Sequence, residues 1–299
     1  MGERSIFSVC CLILLTIQAA RANDVEPRLY SAVPTGANFL SIGYARSEGE
    51  VSLDSSIPVI DARGEVDSLI LQYSRGLNVA GRSGLLSVVV PYANLALEGI
   101  YLGQPASGEV RGFGDPVVRL AVNFIGAPAM TREEFRGYQQ KTIVGASVAV
   151  SVPVGRYDDE RVLNTSSNRW NVVGQVGFSH RLRRWTLEGA VGVSAFSDND
   201  ELLGENELAQ DAIALFRGTA LYHFTPRVWM SLGVVHSRGG ATSLNGVKRR
   251  DHQNNWRSGL AFSFPIGRRH RVQLVATEGV SARIGADFTT FISNYTLSF

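Results

Sequence analysis

The segment Ala286–Phe299, ADFTTFISNYTLSF, puts Phe291, Tyr295, Leu297 and Phe299 on one side of an extended chain and Thr290, Asn294 and Ser298 on the other. Ile292 is the one large apolar residue on the second side. A period of two with bulky groups on a single face specifies a half-buried strand and excludes a helix. A strand of this kind that finishes on an aromatic suits the closing strand of an outer-membrane barrel. Such a strand pairs back to the first one, and its aromatic end sits in the interfacial girdle.

The same alternation recurs along the chain. It marks strands at Asn38–Ser47, Asp67–Arg75, Leu85–Tyr92, Val117–Ile125, Thr142–Gly155, Trp170–Ser179, Trp185–Phe196 and Ala212–Phe224. Val228–His236, Trp256–Ile266 and Arg271–Thr277 follow before the closing segment. Thr142–Gly155 is the clearest: every second residue from Val144 to Val154 is Val or Ala, and the residues between are Gly, Ser, Ala or Pro. A soluble sandwich alternates too, but it more often carries charge on its outer face. An aliphatic face opposed by a small one fits lipid outside and a narrow interior within. The fold class expected is therefore all-β: a single antiparallel transmembrane β-barrel of about twelve strands, an even number as single-chain bacterial barrels have.

The connections give sidedness. Long polar stretches (Glu48–Val66, Ala93–Pro116, Arg156–Arg169, Ser197–Asp211, Ser237–Asn255 and Glu278–Gly285) follow the odd strands, and tight ones such as His180–Arg184 and Thr225–Arg227 follow the even. Short periplasmic turns and long outer loops are the barrel pattern. One even connection, Gly126–Lys141, is longer; Thr131 followed by Glu134 is a capping box, so one short periplasmic helix is predicted near 131–138. An aromatic girdle is expected from Trp185, Trp229 and Phe299 at the periplasmic end and from Trp170 and Trp256 at the outer end.

At the N-terminus, Arg4 precedes the apolar run Ile6–Ile17, and Ala20-Arg21-Ala22 offers a small-x-small site. Residues 1–22 thus read as a signal peptide, cleaved on export to the bacterial outer membrane. Both cysteines, Cys10 and Cys11, fall inside it, so the mature chain has neither disulfide nor thiol chemistry. Residues 23–36 form a polar lead-in expected in the periplasm, and the barrel occupies 37–299. A net charge of +2 offers nothing for nucleic acid.

Candidate site residues are those whose polarity falls on the inward face: Arg119, Asn123, Gln175, Glu188, Arg217 and Arg257, expected to line the pore. Intramembrane charges face the interior, pair, and mark pathways; the alternative is a structural salt-bridge ladder. Asp115 is close enough in sequence to pair with Arg119. Of the histidines only His223 faces inward, without a serine spacing that would make a hydrolase, so no enzyme is expected. Asp158-Asp159-Glu160 and Asp198-Asn199-Asp200-Glu201 could hold Ca²⁺, and Lys248-Arg249-Arg250 could meet lipopolysaccharide phosphates, but both read first as solvated loop faces. Neither metal nor cofactor is assigned.

The stretch Gly112-Phe113-Gly114-Asp115-Pro116 lacks the helix and Lys of a phosphate loop and reads as a turn opening a strand. With Arg119 it gives G-x-G-D-P-x-x-R, and here the chain resembles the outer-membrane barrels of the "meta-pathway of phenol degradation" family. The similarity extends to Lys141–Ala146, Pro153-x-Gly155-x-Tyr157, Asn168-Arg169-Trp170, Arg184–Glu188, Asp198–Asp200 and Arg283–Phe288. The resemblance implies an outer-membrane protein that passes hydrophobic or aromatic compounds inward.

The expectation is passive passage of small apolar solutes, with Ala93–Pro116 and Ser237–Asn255 as gate or capture loops. Ile100, Tyr101 and Leu102 make the first of these loops apolar, although it could equally be strands running on past the membrane. Partners would be the bilayer, lipopolysaccharide, the barrel-assembly machinery and the solute. The rivals are a structural or adhesive barrel with a closed lumen, and a lipid-modifying enzyme.

Overall fold

In a computed structural model the protein is described over residues 26–52, 59–101, 103–161 and 163–299. The signal peptide expected at 1–22 and Leu102 lie outside the described residues. The barrel strands are β1 (Asn38–Ser52), β2 (Val59–Val79), β3 (Arg82–Tyr101), β5 (Val117–Ile125), β6 (Thr142–Ser151) and β7 (Asn171–Leu182). They continue with β8 (Trp185–Phe196), β11 (Ile213–His223), β12 (Trp229–Gly239), β15 (Gln253–Pro265), β16 (His270–Ser281) and β17 (Gly285–Ser298). Each pairs antiparallel with its neighbour, and β1 pairs β17 from Phe39↔Ser298 to Ser52↔Gly285, which closes the ring at twelve strands. Closure is what a hydrocarbon solvent demands, since an open edge would leave N–H and C=O groups with no partner.

The faces sort as the alternation requires. Leu40, Ile42, Leu69, Val148, Val191 and Leu232 stand exposed toward lipid. The inward face carries small hydroxyls that bond across strands: Ser41 to Thr296 at 2.7 Å, Ser47 to Thr290 at 2.8 Å and Ser74 to Ser87 at 2.9 Å. Phe291, Tyr295 and Phe299 share the lipid face of β17, and Phe299 exchanges two 3.0 Å backbone bonds with Asn38 at the short-turn end.

The helix α1 (Arg132–Gly137) begins at Thr131 with the expected capping box. The Thr131 backbone and hydroxyl hydrogen bonds hold the Glu134 carboxyl below its usual range.

Four expectations are narrowed or corrected. Of the two readings of Ala93–Pro116, strands running on past the membrane holds: β3 continues to Tyr101 and is followed by β4 (Gln104–Phe113), which pairs with β3 from Tyr92↔Phe113 outward. With β2 at 21 residues and about 3.4 Å per residue, these hairpins stand well beyond the ~30 Å hydrocarbon layer. Their polar sequence reflects water on both faces rather than a loop. Likewise, β9 (Asn199–Leu202), β10 (Asn206–Gln210), β13 (Thr242–Leu244) and β14 (Val247–Lys248) join two of the outer connections into a four-stranded sheet.

Second, β6 stops at Ser151 rather than Gly155. Pro153 has no N–H to give a ladder, and the Gly155 N–H goes instead to Asp115. Third, Trp229 is 3% exposed, packed inside with Leu221 and Ala261, and is not a girdle residue. Met230, Leu232 and Val234 take the lipid side of β12, so parity sends Trp229 inward. Trp170, Trp185 and Trp256 are about half exposed: Trp185 packs edge-on against Tyr222, and Trp256 stacks on His236. The fourth correction, the course of the lead-in, belongs with the lumen.

Candidate functional site: the lumen and the segment within it

The lead-in expected in the periplasm enters the barrel from the short-turn end. Its base is stitched there by Gly36 N–H to the Gly76 carbonyl and Thr35 N–H to the Met130 carbonyl, both 2.8 Å. Val33 and Ser83 exchange two 3.1 Å bonds, and Asn123 Nδ2 donates to the Ser31 carbonyl at 3.1 Å.

Tyr30 is 3% exposed among Ala32, Ala127, Met130 and Ile143. Its ring lies flat on the wall where β6 and β7 present Gly145 and Gly177; a Cβ on Gly177 would come within 2.4 Å of the ring and 2.7 Å of the Gly189 carbonyl oxygen. Higher, the Arg28 N–H donates to Glu188 Oε2 at 2.7 Å, while Ser179 donates to Glu188 Oε1 at 3.0 Å. At the top, one oxygen of Glu26 accepts from Arg119 Nη1 at 2.8 Å and from Arg217 Nη1 at 3.0 Å.

Four of the six expected pore-lining residues therefore converge on one peptide segment. Arg119 and Arg217 clamp its carboxylate, and Glu188 and Asn123 hold its backbone. Gln175 is buried over Gly192, and Arg257 shares the inward row of Gly259 and Ala261 on β15. His223 Nε2 is 3.0 Å from the Thr186 hydroxyl on the same inner surface.

Asp115 does not meet Arg119. Fully buried, it accepts from Gly155 N–H (2.9 Å), Ser166 Oγ (2.6 Å), Ser167 N–H (2.9 Å) and Ser167 Oγ (3.2 Å). It thus ties the start of β5 to the 152–170 connection. Gly155 is required there, since a Cβ would fall 2.7 Å from the Gly114 carbonyl carbon and 2.8 Å from the Phe113 oxygen. Gly112, Gly114, Asp115 and Pro116 are the structural half of a joint whose other half is Pro153-x-Gly155 and Ser166-Ser167.

Two residues of this surface escaped the sequence reading. Glu26 belongs to the polar lead-in expected in the periplasm. Arg169, the middle residue of Asn168-Arg169-Trp170, continues the inward parity of Asn171 and Val173. It is 5% exposed, with its guanidinium carbon 4.5 Å above the Phe196 ring and Nη2 donating to Gln210 Oε1 at 2.6 Å. Burial pushes the Arg169 pKa down to about 10 against the opposing field of Asp198, so the group is a cation at neutral pH.

Beside it on the inner surface is an apolar cluster: Ala149, Val173, Ile213 and Leu215 are buried together, flanked by Val117 and Phe196, with the hydrogen-bonded Asn171 and Ser194 among them. Among the described residues, no group of three His, Cys, Asp or Glu is placed to hold a metal ion.

Residues 46–290 match the profile of a protein family described as "Putative MetA-pathway of phenol degradation". An outer membrane channel from Pseudomonas putida F1 is similar in structure, with a TM-score of 0.79 and 19% identity over 92% of this chain and 100% of that one. The β domain of the Bordetella autotransporter BrkA aligns over 89% of this chain and 100% of that one (TM-score 0.51, 11% identity). The transport unit of the Escherichia coli autotransporter AIDA-I aligns over 92% and 93% (0.52, 9%). At these identities the likeness is one of fold. No curated protein matches the chain.

Proposed function

The chain belongs to the family described as "Putative MetA-pathway of phenol degradation", and from that premise we propose that it is an outer-membrane channel for passive passage of small hydrophobic or aromatic molecules. The observation that carries this reading is the pairing of an apolar outer lumen with a polar segment seated beneath it. Ala149, Val173, Ile213 and Leu215 give an apolar body somewhere to leave water, and the Glu26–Arg119–Arg217 clamp adjoins them, Arg119 being the ladder partner of Ala149. A segment held by a few hydrogen bonds and one ion cluster is a removable stopper, because it shares no β-ladder with the wall. Export through a cleaved signal peptide, insertion by the barrel-assembly machinery and contact of the outer loops with lipopolysaccharide belong to the same proposal.

Planar-bilayer conductance and solute-driven swelling of proteoliposomes test it. Stepwise current, together with Arg119→Ala or Glu188→Ala changing its size or gating, supports the channel. A protein that inserts but shows neither current nor swelling, and is indifferent to both substitutions, would be a closed structural barrel.

A further inference from the structure

Arg169 is a buried cation with donors to spare. Its Nη2 is used on a neutral amide oxygen and its plane rests on Phe196, but Nε and Nη1 are buried with no hydrogen-bond partner. Among the described residues it forms no ion pair within 4 Å. A charge held out of water is costly unless an opposite charge meets it; Asp198 offsets part of it from beyond ion-pair distance, and an amide oxygen with a ring face does not neutralise the rest. A guanidinium's free N–H pair is the geometry that binds a carboxylate through both oxygens.

Past the hydrogen-bonded Asn171–Ser194 pair next to Arg169, the surface carries an apolar cluster and has a second cationic end. Val173 lies two inward positions along the same strand face from Arg169, past Asn171. Ladder partners run from Arg119 to Ala149, from Ala149 to Val173, from Val173 to Ser194 and from Ser194 to Ile213. With about 4.8 Å between strands, this is a wall of Ala149, Val173, Ile213 and Leu215 with Arg169 at its outer end and Arg119 beside its inner end. At that inner end a carboxylate is already bound, and it is the chain's own Glu26.

We propose that the outer lumen is a binding subsite for amphipathic organic carboxylates, with Arg169 receiving the carboxylate and the apolar wall receiving the body. Glu26 is then a resident ligand mimic: a carboxylate moving inward reaches the Arg119–Arg217 pair by competing with it, and so loosens the lead-in. This rests on the channel reading above and narrows its cargo from apolar molecules in general to those with an anionic head.

The test compares 3-phenylpropionate with its neutral amide, using the full-length barrel. Half-blocking concentrations are read as interruption of ion current in planar bilayers, and binding to the detergent-solubilised protein is read in parallel by ligand-observed NMR. The carboxylate is expected to bind at least tenfold more tightly than the amide. Arg169→Met should erase most of that difference while leaving the amide unchanged, and Arg169→Lys should restore part of it.

Equal binding of the two probes, or an equal loss of both in Arg169→Met, overturns the carboxylate assignment and leaves passage of apolar solutes standing. Binding of neither probe overturns the subsite, while ion current in the same recordings leaves the channel reading standing and its absence overturns that reading as well. If Arg169→Met fails to fold, Gln210→Glu, which places a carboxylate on Nη2, is the second variant. It should weaken the carboxylate selectively, and no selective loss overturns the assignment.

Discussion

Replacing Glu26 by Gln removes the charge that the Arg119 and Arg217 guanidiniums share while keeping the side chain's size. Two charge-assisted bonds of 2.8 and 3.0 Å are weakened. The three side chains are 30%, 20% and 8% exposed, so solvent screens part of each interaction. Allowing about 1–1.5 kcal/mol per bond on that account gives a loss of roughly 2–3 kcal/mol. At about 1.4 kcal/mol per factor of ten, the fraction of time the tip of the lead-in spends detached should rise roughly 30- to 150-fold. The two arginines left facing each other add to the effect. Tyr30, Ser31 and Val33 still hold the base, so the expected change is a flickering tip and not loss of the whole segment. Single-channel recording reads this as more frequent or longer excursions to a higher conductance in Glu26→Gln, with Glu26→Asp in between. Traces indistinguishable from the unmodified protein, or a lower conductance, would refute the idea that the ion cluster holds the segment in the path.

Other substitutions separate wall from stopper. Gly177→Val should expel Tyr30 and raise the conductance of the barrels that insert, and because the new Cβ also meets the Gly189 carbonyl oxygen, the yield of folded barrel, read by heat-modifiability on gels, should fall as well. Asp115→Ala leaves four donors of the outer joint without their acceptor and should cost about 3–5 kcal/mol, seen as a lower unfolding temperature and faster proteolysis within residues 152–170. Deleting Phe299 removes both backbone bonds to Asn38 and a girdle ring, so membrane insertion should fall more than the conductance of those barrels that do insert. Acidification should loosen α1: the Glu134 pKa is lowered by its bonds to Thr131, so the cap is intact above the ordinary carboxyl range and is lost as pH falls through the lowered value. Backbone amide exchange at Glu134 would show it, and exchange that does not change with pH would contradict it.

The barrel was legible because lipid imposes one rule on every strand: apolar residues at alternate positions with the ladder closed. Val144 to Val150, and the pairing of β1 with β17, follow from it directly. Trp229 was misplaced because an aromatic at a strand start looks like a girdle residue. Only the parity of Met230, Leu232 and Val234 tells otherwise. The lead-in was hidden for a different reason. Glu26, Arg28 and Ser31 have no periodicity, and a short polar segment reads as solvated wherever it lies. The signal that could have found it was a charge imbalance. The inward set holds Arg119, Arg217 and Arg257 against Glu188 alone, and a low-dielectric interior does not leave such an excess uncompensated. Glu26 supplies one such counter-charge from outside the strands.

The most direct test joins the lead-in to the wall. With Glu26→Cys and Arg119→Cys in the full chain, a short bis-methanethiosulfonate linker, which spans the gap left by the two longer side chains, should lock the segment in the lumen and reduce aromatic-solute flux into proteoliposomes. Reduction, which releases the linker, should restore the flux to or above that of the unmodified protein. Flux that is the same in the linked and reduced states would contradict passage through the lumen past Glu26.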